Sequence, residues 1–548
     1  MRPGVCNTPL HEKEKHMVEY MNKGSSGFQQ FMASRDADKK AGANSIFIWA
    51  LIAIMAGWLV YGWLAPSKSI EHRAESIDSA PTAQIDIAAD VPAQTLMGDA
   101  ITARVAGLRM SDIELKNYPD VRLLSGSGEF LEVGFSGAGT DMPAADTLWR
   151  MNRSMGGPEI NLSWVSPSGV EFRRTITMSA DYVINISDTV INKSAAPISI
   201  GQYTRIIRAG ESQKSGNVQT GGIARANDVI KRESWKKLVK SPMSFSGGGG
   251  FVGFTDQYWQ TVVGMDSPEQ NMRVRANSSG KFQADTAADA QTIAPGAEHV
   301  WTTRMFAGPK NQADLAAAAA FMPGVDQTVD YGWFWFLARP FLWSINAIHG
   351  FVGNYGVAII IFTILLRLLM WPLTKKSVTA MSDMQKLQPE MQRLQKLYGD
   401  DKKRLQAEMM NLYKSRGTSP MGGCLPMILQ IPIFFALYKA LLISVPMRSA
   451  GFLWVADLAA RDPLFILPIV MGATMWFQQK LQTSYNASAA TDEKSQQMQK
   501  MMKYLPIIFT AMFAFMPAGL VLYWTVSNMF GIGQMLWIKR GTARPASK

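Results

Sequence analysis

Residues 360–374 read IIFTILLRLLMWPLT, an apolar run with Arg367 at its middle. A run of this kind belongs in hydrocarbon, yet a guanidinium at the bilayer centre costs from about 3 to well over 10 kcal/mol. Any fold for this chain must place the run in a membrane and give its cation a reason to be there.

The apolar residues cluster. They make up 47% of 548 residues, against 18% charged, and they concentrate in 45–64 and 331–538. Between these lies a polar segment, 65–330. The stretch 45–64, SIFIWALIAIMAGWLVYGWL, runs 20 residues without a charge, enough to cross an apolar layer of about 30 Å. It exceeds the core of a secretory signal, and APSKS after it is a poor cleavage site, so it reads as a retained first transmembrane helix. The polar tail 1–44 before it matches no targeting pattern. Further spans are expected at 354–374, 424–445 and 464–481, followed by the long apolar stretch 505–538.

That last stretch contains Pro517 and Gly519 and reads either as one span with a re-entrant piece or as two spans joined by a tight turn. Charge decides between them. Residues 375–423 carry ten Lys/Arg against five Asp/Glu, and the tail 539–548 has four basic residues and no acidic one. RDADKK precedes the first span. Short basic loops stay in the cytoplasm, so both termini and 375–423 are inside. The number of crossings is then even, which makes 505–516 and 518–538 the fifth and sixth of six spans. Residues 505–516 would rise only about 18 Å as a helix, short enough to thin the bilayer locally. The net charge of +12 thus reads as a topology signal and a membrane-surface attraction, with no specific nucleic acid implied.

The polar segment opens with a Pro/Ala/Ser/Asp-rich linker, 65–95. Within 96–325, alternation takes over. DYVINISDTVINKS puts Tyr182, Ile184 and Ile186 on one face, and APISIGQYTRII follows after a turn. This pattern predicts antiparallel strands and a large β-sandwich. SGGGGF (246–251) reads as a loop, and NQADLAAAAAFM (311–322) as a helix. His299 is the one histidine of this domain, and a lone histidine is structural more often than catalytic. The cysteines, Cys6 and Cys424, are too far apart for a disulfide framework, and the five histidines show no ligand spacing. No metal and no cofactor are expected. No G-x-x-x-x-G-K-[ST] phosphate loop is present.

Two more elements bear on function. The stretch 329–350 is aromatic and reads as an amphipathic helix lying on the outer surface. In 375–417, Met381, Met384, Leu387, Met391, Leu394 and Leu397 make one apolar stripe, and Leu405, Met409 and Leu412 a second, broken at GDD. That is a cytoplasmic helical hairpin, with Pro389 expected to kink its first helix. It reads both as a self-packed element and as a docking face, because methionine-rich surfaces adapt to varied apolar partners.

VDYGWFWF, IHGFVGNYGVAIIIFTILLR, WPLTKKS, LQPEMQRLQ, PMGGCLPMILQIPIFFALY, ILPIVMGATMWFQQK and GLVLYWTVSN, in this order over most of 329–540, resemble the YidC/Oxa/Alb family of membrane protein insertases. The polar segment, through GFVGFTDQYW (250–259), is similar to the periplasmic domain of Gram-negative members, a sandwich related to sugar-binding enzymes. The resemblance implies a multi-pass α-helical protein of the bacterial inner membrane with six spans, N-in and C-in, and residues 65–330 in the periplasm. It implies an insertase and chaperone without covalent chemistry, built on a hydrophilic cationic groove open to the cytoplasm and to lipid. Arg367 matches the groove cation. Thr363, Gln430, Gln479, Tyr523, Trp524 and Asn528 match positions along the substrate path. Implied partners are nascent membrane proteins, the Sec translocon, the lipid bilayer and the ribosome. Long basic tails serve ribosome contact in some relatives; here the tail is short, and the hairpin takes that role. A monomer is expected.

Other classes predict other features. A solute transporter would carry paired halves with broken helices, which this chain lacks. A membrane-anchored sugar-binding or sugar-acting periplasmic protein would need convergent acid/base groups in 96–325. A structural anchor would have no use for Arg367. Snorkelling towards Lys375, about 12 Å further along a helix, is the rival account of that arginine.

Overall fold

The computed structural model describes residues 93–138, 141–153, 158–210, 218, 220–399, 401–417, 425–483 and 493–542. The tail 1–44, the expected first span 45–64, the linker up to residue 92, Cys424 and residues 543–548 lie outside them. The described residues divide between two units, one holding 493–503 and the other the rest. Of the first unit only 493–503, the opening turns of one helix, are described.

In the polar segment the described strands form two antiparallel sheets, one of ten strands and one of nine. The ten-stranded sheet is centred on Ile198–Arg208, flanked by Phe130–Ala138 and Phe282–Ala288. The nine-stranded sheet is centred on Glu298–Pro309, flanked by Val183–Asn192 and Trp259–Met265. Period-two alternation explains the pairing. Ile184 and Ile186 turn inward, as does Tyr182, whose hydroxyl accepts from Asn117 Nδ2 at 3.0 Å. Both sheets feed one core, in which Phe172, Phe254, Met305 and Phe306 join Val133, Ile206 and Ala284.

A charged group bolts the two sheets together inside that core. Arg174 and Asp188 face each other on neighbouring strands. The pair is bidentate, with Nε to Oδ1 at 2.7 Å and Nη2 to Oδ2 at 2.9 Å. Arg174 Nη2 also donates across the sandwich to the Val133 carbonyl at 2.8 Å, and Gln202 Nε2 of the opposite sheet donates to Asp188 Oδ2 at 2.6 Å.

Two short helices belong to this domain, α1 (Trp235–Lys240) and α2 (Gln312–Ala318). The alanine-rich stretch thus forms a helix of seven residues, capped by the Asn311 side chain. Just before it, Lys310 is fully enclosed and donates to Thr255 Oγ1 at 3.2 Å and to the Asp256 carbonyl. The Asp256 carboxylate is taken by Arg208 at 2.6 Å. Burial lowers the Lys310 ammonium to about 7.

The apolar half folds into α3 (Trp335–Val352), α4 (Tyr355–Leu369), α5 (Trp371–Lys386), α6 (Gln388–Tyr398), α7 (Lys402–Ser415), α8 (Leu425–Ile443), α9 (Ile466–Thr483), α10 (Glu493–Phe513) and α11 (Ala518–Thr542). Several boundaries differ from the sequence reading. The surface helix placed at 329–350 starts only at Trp335, because Gly332 (φ +73°) turns the chain before it. The span placed at 354–374 is broken: α4 ends at Leu369, and α5 leaves at 58°. Pro372, which has no N–H to give and crowds the preceding turn, accounts for the break. Pro389 does not kink a continuous helix. The break falls at Leu387, and Pro389 sits in the first turn of α6, where a missing N–H costs nothing. The segment 505–516 is the apolar end of the longer α10, which begins at Glu493. Among the described residues no single helix is long and apolar enough to cross a membrane alone, whereas the bent pair α4–α5 is.

The loop 446–463 organises one end of the helices. Ala518 N–H donates to Ala460 O at 2.7 Å and Gly519 N–H to Leu458 O at 2.9 Å, so the α10–α11 turn is stitched to this loop. Gly356 lets α4 begin against it: a Cβ there would stand 2.1 Å from the Phe452 ring. The β domain meets the same end through Asp330–Lys439 at 2.8 Å, Arg448–Asp120 at 2.6 Å and Gln257 Nε2 to the Leu442 carbonyl at 2.8 Å.

Two predictions follow from burial. Asp188→Ala leaves Arg174 buried and uncompensated and destabilises the β domain by about 3–5 kcal/mol, whereas Arg174→Met with Asp188→Leu recovers most of the loss; urea denaturation of the full chain reads both. Between pH about 7 and the ordinary lysine range, the unfolded chain holds a proton that folded Lys310 lacks, so stability rises with pH through that window. Lys310→Met should flatten that rise in thermal midpoints measured from pH 6 to 10.

Candidate functional site

Arg367 lies in the last turn of α4, near the point where the chain bends into α5. It is half-buried, while its neighbours Leu365, Leu368 and Leu369 face outward. Its Nε donates to Ser527 Oγ on α11 at 2.6 Å. Among the described residues no carboxylate comes within ion-pair distance of it. Thr363 is one turn earlier and fully buried, but its hydroxyl is spent on the Ile359 carbonyl of its own helix at 2.6 Å. Thr363 therefore shapes the buried face of α4 and offers Arg367 no donor or acceptor.

Helix α11 is where the other residues converge. Tyr523 and Ser527 sit four apart, one above the other on a single stripe. Gln430 Nε2 of α8 donates to the Tyr523 hydroxyl at 2.8 Å. Gln430 and Arg367 thus reach adjacent turns of the same α11 face from two different helices. Asn528, on the next stripe, is within 3.4 Å of Thr474 Oγ1 on α9. Trp524 does not join the polar set. Its ring packs against Phe434 of α8 at 5.5 Å and Phe513 of α10 at 5.1 Å. Gln479 is half-buried on α9.

Three participants escaped the sequence reading. Ser527 and Thr474 are the partners of Arg367 and Asn528, and the spacing Tyr523–Ser527 would have pointed to the first. Gln534 continues the same α11 stripe seven residues on, about 10.5 Å along the axis. It is 2% exposed, and neither its amide oxygen nor its nitrogen has a hydrogen-bond partner. Among the described residues there is no cluster of three metal-ligating side chains.

Comparison with known proteins covers both halves. Residues 98–344 match the family described as the YidC periplasmic domain, and residues 347–545 the family described as the 60Kd inner membrane protein. Relatives named membrane protein insertase YidC include that of Aeromonas hydrophila, 35% identical over 83% of this chain and 86% of that one. The relative from Granulibacter bethesdensis is 34% identical over 80% and 84%, and that from Rickettsia felis 30% over 91% and 99%. Among solved structures, an active YidC insertase with its first transmembrane domain resolved overlaps at a TM-score of 0.34 and 16% identity, over 83% of this chain and 96% of that one. A galactose mutarotase related enzyme from Lactobacillus acidophilus overlaps at 0.33 and 10% identity, over 40% and 97%. Overlaps this loose carry no weight for fold or function.

If the Arg367 stripe is hydrated, a thiol there is reached from water and one on the outward face is not. With Cys6 and Cys424 replaced by serine, Arg367→Cys should react with a charged, water-borne methanethiosulfonate in native membranes at least tenfold faster than Leu369→Cys. Equal rates would mean that both face lipid or that both are packed dry.

Proposed function

This chain belongs to the YidC family of membrane protein insertases, and from that premise we propose that it inserts and helps fold newly made proteins through a hydrated cationic groove centred on Arg367. The observation that carries the reading is the contact of Arg367 with a neutral hydroxyl and with no carboxylate among the described residues. A half-buried guanidinium left with its full charge attracts acidic groups on an incoming chain. Gln430, Tyr523, Asn528 and Thr474 supply hydrogen bonds that replace water for a polar segment brought partway into the apolar layer. Thr363, Gln479 and Trp524 shape the walls.

The driving force is the substrate's own. Its apolar segment leaves the groove for lipid at about 0.8 kcal/mol per buried CH₂. An acidic tail moving outward gains about 2.3 kcal/mol per charge per 100 mV of membrane potential. Short apolar stretches such as Lys503–Phe513 in α10, roughly 16 Å long as helix, leave less hydrocarbon to cross. No nucleotide is required.

We place the chain in the inner membrane of a Gram-negative bacterium, with six spans, both termini inside and residues 65–330 in the periplasm. The stitching of the α10–α11 turn to loop 446–463, and of that loop to Asp120 of the β domain, supports this arrangement, because it puts both turns on the side of the β domain. The hairpin α5–α7 then faces the cytoplasm and is the surface for nascent chains and for the ribosome. The protein works as a monomer, alone or beside the Sec translocon.

At about 6 Å and an effective dielectric of 20, one charge pair is worth on the order of 3 kcal/mol. Arg367→Glu should therefore impair insertion of acidic-tailed substrates at least tenfold more than of neutral-tailed ones, with Arg367→Lys close to wild type, measured by protease protection of radiolabelled chains. Equal impairment of both substrate classes would remove the electrostatic step.

A further inference from the structure

Away from the helices, the ten-stranded sheet carries a row of charges on the face opposite its core. Five neighbouring strands contribute one residue each. The register sets Arg109 against Glu132, Glu132 against Arg205, Arg205 against Asp285, and Asp285 against Arg273. Residues directly opposite share a face. Their sequence neighbours Leu131, Val133, Ile206, Ala284 and Val274 all enter the core, so this row points the other way.

The row is unevenly neutralised. At one end Glu132 is fully engaged: Arg109 Nε donates at 2.7 Å and the Tyr203 hydroxyl at 3.0 Å. At the other end three guanidiniums, Arg205, Arg273 and Arg275, share Asp285. Both Asp285 oxygens already accept from Gln283 Nε2, at 2.7 and 2.8 Å. Arg205 Nε stands 3.5 Å and Arg275 Nε 3.9 Å from the carboxylate, too far for a hydrogen bond. Both Nε atoms are buried and make no other hydrogen bond. Both side chains are still about a third exposed, 35% and 37%, so they are reachable from solvent; a buried N–H without an acceptor is costly, and two of them at one spot, with a surplus of two positive charges, mark a place that an anion would complete. Burial also pushes the Asp285 carboxyl above the ordinary carboxylate range despite the three guanidiniums, so charges here act in a medium poorer than water. The Tyr203 ring, 5.5 Å from the Arg205 guanidinium, adds a flat apolar floor.

We propose that this face binds an extended acidic stretch of polypeptide, the translocated segment of an inserting protein, through Arg205, Arg275 and Arg273. Arg273 and Arg275 lie two residues apart on one strand, on the same face, about 7 Å from each other. Carboxylates two residues apart on an extended chain share a face at the same spacing, so one such segment reaches both, with Arg205 beside them across Asp285. The proposal rests on the insertase reading for the source of the segment, while the binding itself does not depend on Arg367.

The test uses the full chain in phosphatidylcholine nanodiscs and a rhodamine-labelled Gly/Ser peptide carrying two aspartates two residues apart, followed by anisotropy. Its Asn counterpart is the control. The aspartate peptide should bind at least tenfold more tightly than the control and weaken steeply with salt. Arg205→Gln with Arg275→Gln should lower affinity at least tenfold, and Asp285→Asn, which keeps the shape and removes the competing charge, should raise it several-fold. The tenfold loss from Arg205→Gln with Arg275→Gln should be the same in an Arg367→Glu background. Equal binding of the two peptides, no loss in the double variant, or occupation by inorganic phosphate without peptide binding would each overturn the proposal. Loss of binding in the double variant with insertion intact leaves this site standing apart from the groove. Impaired insertion in Arg367→Glu with peptide binding intact speaks to the groove alone.

Discussion

A guanidinium held against one serine hydroxyl, with no carboxylate beside it among the described residues, is the contact around which the helical half is arranged. A neutral acceptor orients Arg367 but leaves its charge intact. In dry packing that charge would be intolerable, and out among headgroups it would need no partner on another helix. The contact at Ser527 pulls the side chain across to α11, away from the outward face of Leu365, Leu368 and Leu369. The chain also turns by 58° just after the arginine, so the cation sits near the end of a straight segment, where a cleft between helices can admit water.

Helix α11 carries the other half of the arrangement. One stripe holds Tyr523, Ser527 and Gln534, and the next holds Trp524 and Asn528. Three different helices reach these residues, through Arg367 of α4, Gln430 of α8 and Thr474 of α9. The start of α11 is fixed by backbone hydrogen bonds to Leu458 and Ala460, so its axial position, and with it the height of Ser527, is set by the loop 446–463. The loop thus fixes the position of the α11 stripe through backbone hydrogen bonds.

The β domain was legible because alternation is a strong signal: Ile184 and Ile186 point inward where period two places them, and the turn before Ile198 falls between two strands. The residues at the cleft were legible as types and through likeness to a family, but their partnerships were not. Thr363 has the right spacing to join Arg367 and instead back-bonds to Ile359, a choice decided by rotamer and packing rather than by helical phase. Ser527 looks in sequence like one more small residue of an apolar helix. The kink expected at Pro389 is instead a break, because the chain uses this proline to open a new helix; the span placed at 354–374 took no account of Pro372, which opens α5 in the same way.

Buried Arg174 and half-buried Arg367 are treated in opposite ways, and the contrast argues for their roles. Arg174 holds the sheets together, and the fold surrounds it with a bidentate aspartate, a carbonyl and a glutamine-braced network. A charge whose task is structural must be neutralised where it lies, since any residual field in the core would cost stability. Arg367 is given a hydroxyl and nothing anionic among the described residues. Carboxylates are not scarce near the helices: Asp330 and Asp120 pair with Lys439 and Arg448 at the end where the β domain is seated, and Asp462 caps the start of α9. Each of these lies at the loop end, where a fixed ion pair locks domains and turns in place. On the proposed reading, a cation with no carboxylate beside it among the described residues keeps its attraction available for a transient anionic partner.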